Sequence, residues 1–297
     1  MKLLIGGDSE IGKATSRFLQ AQGMPVRATT RRHDRISADR PFLDLADALD
    51  DWTPPPGTRS TCVLAAVARL AACAADPIGS ARINVTQTLT LIERLLASDV
   101  HVLFLSTNQV FDGDTSHVVP EAPAAPVSEY GRQKAQVEAA LRRRIDGGVS
   151  AAILRLGKVV APGMPLIERW AEKLTAGVPI SAFHDMPLAP TPIELVAKAI
   201  GALMHDRASG IFQLTGPRDA TYAELAHFLA SRLRADPKLV EEVSARDAGQ
   251  PEGSTPRHTT LDPSALRRRY GLAVPDIWEV MEQLIASSAA ARPARCG

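Results

Sequence analysis

Leu3-Leu4-Ile5-Gly6-Gly7-Asp8-Ser9-Glu10-Ile11-Gly12 is the stretch that decides the fold. A short apolar run breaks at two glycines. A helical pattern then begins, with Ile11, Ala14, Phe18 and Leu19 on one face over residues 11–22. A strand that turns through glycine into a helix leaves that helix's first N–H groups unpaired and partly positive. A pyrophosphate can sit on them. Glycine lets the backbone approach phosphates and lets helix pack on strand. Alone, such a turn is equally a simple tight turn; as the first unit of an α/β series it reads as a dinucleotide seat.

The series is there. Residues 25–29, a weak pair at 42–43, and residues 61–66, 102–105 and 151–154 read as strands. Residues 83–96 and 128–144, the latter capped by Ser128, read as helices. Alternation of this kind implies parallel strands with right-handed crossovers, and the strands are apolar on both faces. The expected class is α/β, a Rossmann-type doubly wound parallel sheet. Past Arg155 the pattern loosens, and Pro162, Gly163 and Pro165 mark a boundary. Helical stretches at 166–176, 193–205, 222–235 and 277–286, joined by segments such as 211–214, suggest a smaller lobe beside the sheet. Residues 1–160 are thus expected to bind the dinucleotide, with later segments completing part of the sheet. Residues 161–297 are expected to form mainly a C-terminal substrate lobe. Residues 246–257 read as a flexible loop, and the tail after residue 285 as frayed.

Composition narrows the function. With 34 basic and 33 acidic residues among 297, no charge footprint points to nucleic acid or an anionic membrane. No apolar run reaches the roughly 18 residues that span a bilayer. Cys62, Cys73 and Cys296 show neither metal spacing nor an even framework, and the histidines are scattered, so no protein-built metal site is expected. A cytoplasmic chain with reduced thiols is the expectation.

The second strand leads into Thr29-Thr30-Arg31-Arg32. NAD sites usually place an acid there for the ribose 2′-OH. Here two guanidiniums follow, which match a 2′-phosphate. NADP(H) is favoured over NAD(H), although Asp34 nearby leaves room for two merely solvated arginines.

Gly6, Ser9 and Gly12 resemble the Gly-x-x-Gly-x-x-Gly loop of the extended short-chain dehydrogenase/reductases, with Ser9 in the middle position. A serine hydroxyl there can itself reach a phosphate. With Glu10 and Ile11 these residues make up the expected phosphate loop. The resemblance implies that Asp44-Leu45 contacts adenine and that Ala65-Ala66 lets the cofactor lie close; plain packing also explains the two alanines.

Tyr130 and Lys134 stand four apart in a helix, hence on one face. A free phenol titrates near about 10, and a neighbouring ammonium with a positive nicotinamide ring lowers that value. A Tyr-x-x-x-Lys spacing is common by chance. Its position after Ser106-Thr107, hydroxyls at a strand's carboxyl end, is more specific. Residues 105–113 and 121–126 resemble the dTDP-4-dehydrorhamnose reductases, as do Asn84, Ile153-Leu154-Arg155, Pro190-Thr191, residues 212–216 and Leu261-Asp262. The resemblance covers nearly the whole chain. It implies NADPH-dependent reduction of a ketone, at C4 of a nucleotide-linked 6-deoxyhexose. Tyr130 would be the proton donor, Lys134 would hold the nicotinamide ribose and tune Tyr130, and Thr107 would orient the carbonyl with help from Ser106. Related dehydratases carry Asp-Glu after the threonine. Asn108-Gln109 stand here instead, and two neutral amides cannot serve as acid and base. They are assigned to substrate binding, with Lys158. Lys158 and Arg69 are each either anion ligands or solvated cations. An epimerase of the same fold is an alternative. A cofactor-binding regulatory subunit, like that of methionine adenosyltransferase, is another. A homodimer through helices 83–96 and 128–144 is a family-level expectation.

Overall fold

The computed structural model describes residues 1–49 and 51–290. Five strands follow in chain order: β1 (Lys2–Ile5), β2 (Val26–Ala28), β3 (Ser60–Val63), β4 (His101–Thr107) and β5 (Ala151–Leu156). With Gly210–Leu214 they form one six-stranded sheet, ordered Gly210–Leu214, β5, β4, β3, β1, β2, with every pairing parallel. This is the doubly wound Rossmann arrangement expected from the alternation. The reversal of direction from β1 places the crevice for a ligand at the strands' carboxyl ends.

Along the chain run α1 (Glu10–Ala21), the short α2 (Leu70–Ala75) and α3 (Pro77–Ala81), α4 (Thr88–Ala97), α5 (Glu129–Asp146), α6 (Pro165–Thr175), α7 (Ile193–His205), α8 (Tyr222–Leu233), α9 (Ser264–Tyr270) and α10 (Ile277–Ala290). Successive strand residues serve opposite cores, as a sheet covered on both faces requires. Leu4, Leu103 and Leu154 pack with Leu19 of α1 and Ile200 and Leu203 of α7. Leu3, Ile5, Phe104 and Ile153 pack with Leu91 and Leu95 of α4 and Val137 and Leu141 of α5. A separate core holds Trp170 and Leu174 of α6, Leu229 of α8 and Met281 of α10. It sits with the two-stranded parallel pair Ile180–Phe183 and Val240–Val243.

The structure corrects several expectations. Residues 42–43 are not a strand: a single bridge joins Thr30 to Phe42, and Pro41 just before it has no N–H to extend the pairing. The helix over 193–205 does not belong to the smaller lobe but packs against α1 and the sheet. A Cβ on Gly201 would lie 2.7 Å from the Phe18 ring, so glycine allows that close crossing. Residues 211–214 join the same sheet as its edge. The helix expected over 83–96 begins with a π-helical segment, Arg82–Gln87, before α4. Helix α10 continues to Ala290, past the fraying expected from residue 286. Cys296 lies outside the described residues.

Candidate active site

Two clefts open at the carboxyl edge of the sheet. The first, about 300 Å³, runs along the β1–α1 turn and is lined by Gly6, Asp8, Ser9, Thr29, Arg31, Asp44, Leu45, Ala65 and Ala66, among others. Gly6 has φ +92°, and a Cβ there would lie 2.9 Å from the Ala65 nitrogen. A Cβ on Gly12 would lie 2.7 Å from the Gly6 carbonyl oxygen. Bare backbone is therefore what lets α1 start hard against β1 and leaves an open cradle above it. That cradle, with the helix N-terminus behind it, fits a dinucleotide pyrophosphate.

The turn's other residues divide. Ser9 is the N-cap of α1: its Oγ accepts from the Gly12 N–H at 3.1 Å and donates to the Gly6 carbonyl at 2.8 Å. Its one proton is committed, so the hydroxyl is a cap rather than the phosphate donor envisaged from the sequence. Glu10 is exposed and paired with Lys13 at 2.7 Å, and Ile11 packs toward the α1–α7 core; neither lines the cleft. Arg31 lines it. Arg32 does not, and pairs with Asp34 at 3.5 Å. Asp44 accepts from the Ala46 N–H at 2.9 Å, which fixes the turn carrying Leu45.

Asp8, which sequence reading passed over, sits in a nest of donors. Thr30 Oγ1 donates to it at 2.6 Å, the Arg31 N–H and an Arg40 guanidinium NH2 donate as well, and Arg35 Nη1 lies 3.8 Å away. Burial alone would raise its carboxyl pKa, but Thr30, Arg40, the Arg31 amide and Arg35 together hold it below the ordinary value.

The second cleft, about 530 Å³, lies between the sheet edge and the smaller lobe. Thr107, Asn108, Gln109 and Tyr130 line one side, and Met186, Leu188, Tyr222 and Gln250 the other, with Arg69 and Lys158 among the walls. No carboxylate is among its lining residues. Thr107 ends β4 and caps the 3-10 turn Asn108–Val110; its Oγ1 accepts from the Gln109 N–H at 3.2 Å and donates to Asn108 Oδ1 at 3.3 Å. Ser106, one residue back, does not reach the cleft, and its buried Oγ has no hydrogen-bond partner among the described residues. Gln109 lines the cleft, but both ends of its amide are in use. Nε2 donates to the Gly253 carbonyl at 3.1 Å, and Oε1 accepts from Ser128 at 3.1 Å. The stretch 246–257, expected to be flexible, is thereby tied over the cleft, and Arg246 Nε reaches Thr255 within it at 3.1 Å. Tyr222, Met186 and Gln250 come from elements with no motif to announce them, so sequence reasoning missed them.

Ser128 caps α5 and sets Tyr130 and Lys134 on its inner face. Lys134 Nζ donates to the Leu105 carbonyl at 2.8 Å and stands 5.9 Å from the centre of the Tyr130 ring. Burial pushes the ammonium pKa down to about 8. Burial also pushes the Tyr130 phenol well above its ordinary value. Desolvation outweighs the Lys134 ammonium, which is turned toward a carbonyl; the lowering expected from the sequence rests on that ammonium together with a positive nicotinamide ring. Behind the pair, Asn84 in the π-helical segment donates to Gln133 Oε1 at 2.7 Å and holds the Val67 backbone through both ends of its amide. A π-bulge often marks such a site.

A parallel sheet with a glycine cradle at β1, and a strand-end threonine facing a Tyr-x-x-x-Lys helix, define an NAD(P)-dependent oxidoreductase of the extended short-chain dehydrogenase/reductase class. Within that class, the chain belongs to the family of the RmlD substrate binding domain, whose model matches residues 1–289. The dTDP-4-keto-6-deoxy-D-glucose reductase of Streptomyces niveus is 29% identical over 89% of each chain. The NAD-bound UDP-glucose 4-epimerase of Thermus thermophilus superposes with TM-score 0.79 at 21% identity, over 98% of this chain and 100% of that one. The NADP-bound dTDP-4-dehydrorhamnose reductase of Bacillus anthracis does so with TM-score 0.79 at 17% identity, over 96% and 98%.

Proposed function

We propose that this protein reduces a keto group, at C4 of a nucleotide-linked deoxysugar, using NADPH. The observation that carries the reading is the second cleft: Tyr130 and Thr107 face it together, and its charged lining residues are Arg69 and Lys158, with no carboxylate. Two cations suit an anionic diphosphate. The bound dinucleotide supplies the hydride. Thr107 orients the carbonyl oxygen, and Tyr130, kept protonated by burial, gives its proton to that oxygen as negative charge develops. The Lys134 ammonium, 5.9 Å from the Tyr130 ring centre, partly offsets the phenolate charge left behind. Asn108 and Gln109 provide no acid–base pair, so water loss is not part of the reaction. Arg31 in the wall of the first cleft supports NADP(H) over NAD(H). The smaller lobe around Trp170, Leu229 and Met281 closes the substrate side, and α4 with α5 is the face on which two copies would pair.

The test is NADPH oxidation with a panel of 4-keto nucleotide sugars. Turnover of one or more establishes the reductase; tight NADPH binding with no turnover across the panel rejects this substrate class.

A further inference from the structure

The Asp8 nest has an unusual content. A hydroxyl, a backbone N–H and two guanidiniums converge on one carboxylate in the very loop that cradles a phosphate. These are the donors a bound phosphate would use. The loop over residues 37–40 is folded back to deliver Arg40: Ser37 and Arg40 exchange backbone hydrogen bonds at 3.1 and 3.0 Å, and the Ala28 N–H reaches the Asp39 carbonyl at 3.0 Å. The donor set is not filled. Arg40 Nε is buried with no hydrogen-bond partner among the described residues, although the same guanidinium reaches Asp8 through another nitrogen. A carboxylate satisfies one side of that fork. A phosphate, with three acceptor oxygens, satisfies more of it. Asp8 and Arg31 line the same cleft, so an anion arriving beside Arg31 meets Asp8.

We propose that Asp8 is an internal counter-ion standing where the 2′-phosphate of NADP(H) is read, and that cofactor binding transfers Arg40 and Arg35 from Asp8 to that phosphate. This rests on the NADP(H) reading above and deepens it: Arg35 and Arg40, which do not line the first cleft themselves but meet Asp8 on its wall, join Arg31 as specificity residues, whereas Arg32 pairs with Asp34. Asp8 opposes NADP(H) by charge repulsion and by competing for the guanidiniums. NAD(H), with a 2′-OH, leaves the nest undisturbed. Asp8 therefore sets how strongly the chain discriminates between the two.

The experiment is fluorescence titration of NADPH and of NADH into wild type, Asp8→Asn, Arg40→Gln and the double variant, each checked for an unchanged thermal transition. Asp8→Asn should tighten NADPH about tenfold and leave NADH within about twofold; Arg40→Gln should weaken NADPH about tenfold. The gain from Asp8→Asn should shrink at least about threefold in the Arg40→Gln background, since the two residues act through one contact. Weaker NADH binding by Asp8→Asn would make Asp8 a ribose ligand and overturn the proposal. Equal changes for both cofactors would overturn it too, as a purely structural effect. A wild type that prefers NADH rejects the NADP(H) reading itself, and the change in NADPH affinity on Asp8→Asn still decides the role of Asp8.

Discussion

Tyr130 and Lys134 share one face of α5, and burial favours the neutral form of each. For a reductase this suits the phenol, which must hold a proton until the alkoxide forms. Tyr130→Phe should lower the reduction rate by about 100-fold or more while NADPH affinity stays within about twofold, as NADPH titration beside steady-state rates would show. The Lys134 ammonium brings an opposed pair of pH effects. It loses its proton as pH rises through about 8, so kcat should fall above that value. The unfolded chain holds the same proton to about 10.5. Between these values the unfolded state binds more protons, so the stability cost of burying the charge, fully present below about 8, is relieved as pH rises. Urea midpoints should therefore climb where kcat declines. Midpoints and kcat falling together would reject this account of Lys134.

Between elements, two buried polar clasps hold the sheet. His101 begins β4; its Nδ1 accepts from Ser60 of β3 at 2.8 Å, and its Nε2 donates to the Ala208 carbonyl before the edge strand at 2.8 Å. Both ring nitrogens are used by the neutral tautomer, and burial holds the imidazole pKa down to about 4. The unfolded histidine takes up its proton near 6.5, so stability is lost as pH falls from there toward 4, by about 3 kcal/mol. Denaturant titrations from pH 7 to 4 should show that loss, and His101→Gln should flatten it. Arg155, on β5, is fully buried, bound to Glu138 of α5 at 2.7 Å, and reaches the Pro120 carbonyl and Gln213 at 3.0 and 3.1 Å. It ties helix, sheet edge and the loop before α5 into one unit. Glu138→Ala strands the guanidinium and should cost about 3–5 kcal/mol; a loss under about 1 kcal/mol in urea unfolding would show the charge escaping to solvent.

Across the whole molecule, the second cleft exists only because two cores meet. Gln109 bridges from the sheet edge to the loop at Gly253 and to the cap of α5 at Ser128. Gln109→Ala should free residues 246–257. The KM for the sugar substrate should rise about tenfold with NADPH affinity unchanged, because the first cleft shares no residue with that loop. Limited proteolysis should cut the loop faster. An unchanged KM with intact protease resistance would show that the tie at Gln109 does not shape the cleft.

The glycine turn, the alternating strands and the Tyr-x-x-x-Lys helix were legible because each rests on local chemistry: periodicity, a cap, a spacing of four. On those grounds the sequence determined a parallel α/β sheet, the glycine turn between β1 and α1, and the grouping of Thr107, Tyr130 and Lys134 around one strand end. The capacity of Ser9 as a cap rather than a phosphate ligand depended on which partner its single proton met. The placement of α7 against α1 turned on a glycine crossing between segments far apart in sequence. Asp8 with Arg35 and Arg40, and Gln109 with Gly253, are pairs joined only when loops fold back on the sheet. Tertiary structure alone decided these, because burial and distance, which set proton affinities and pair charges, are properties of the packed chain and not of any segment of it.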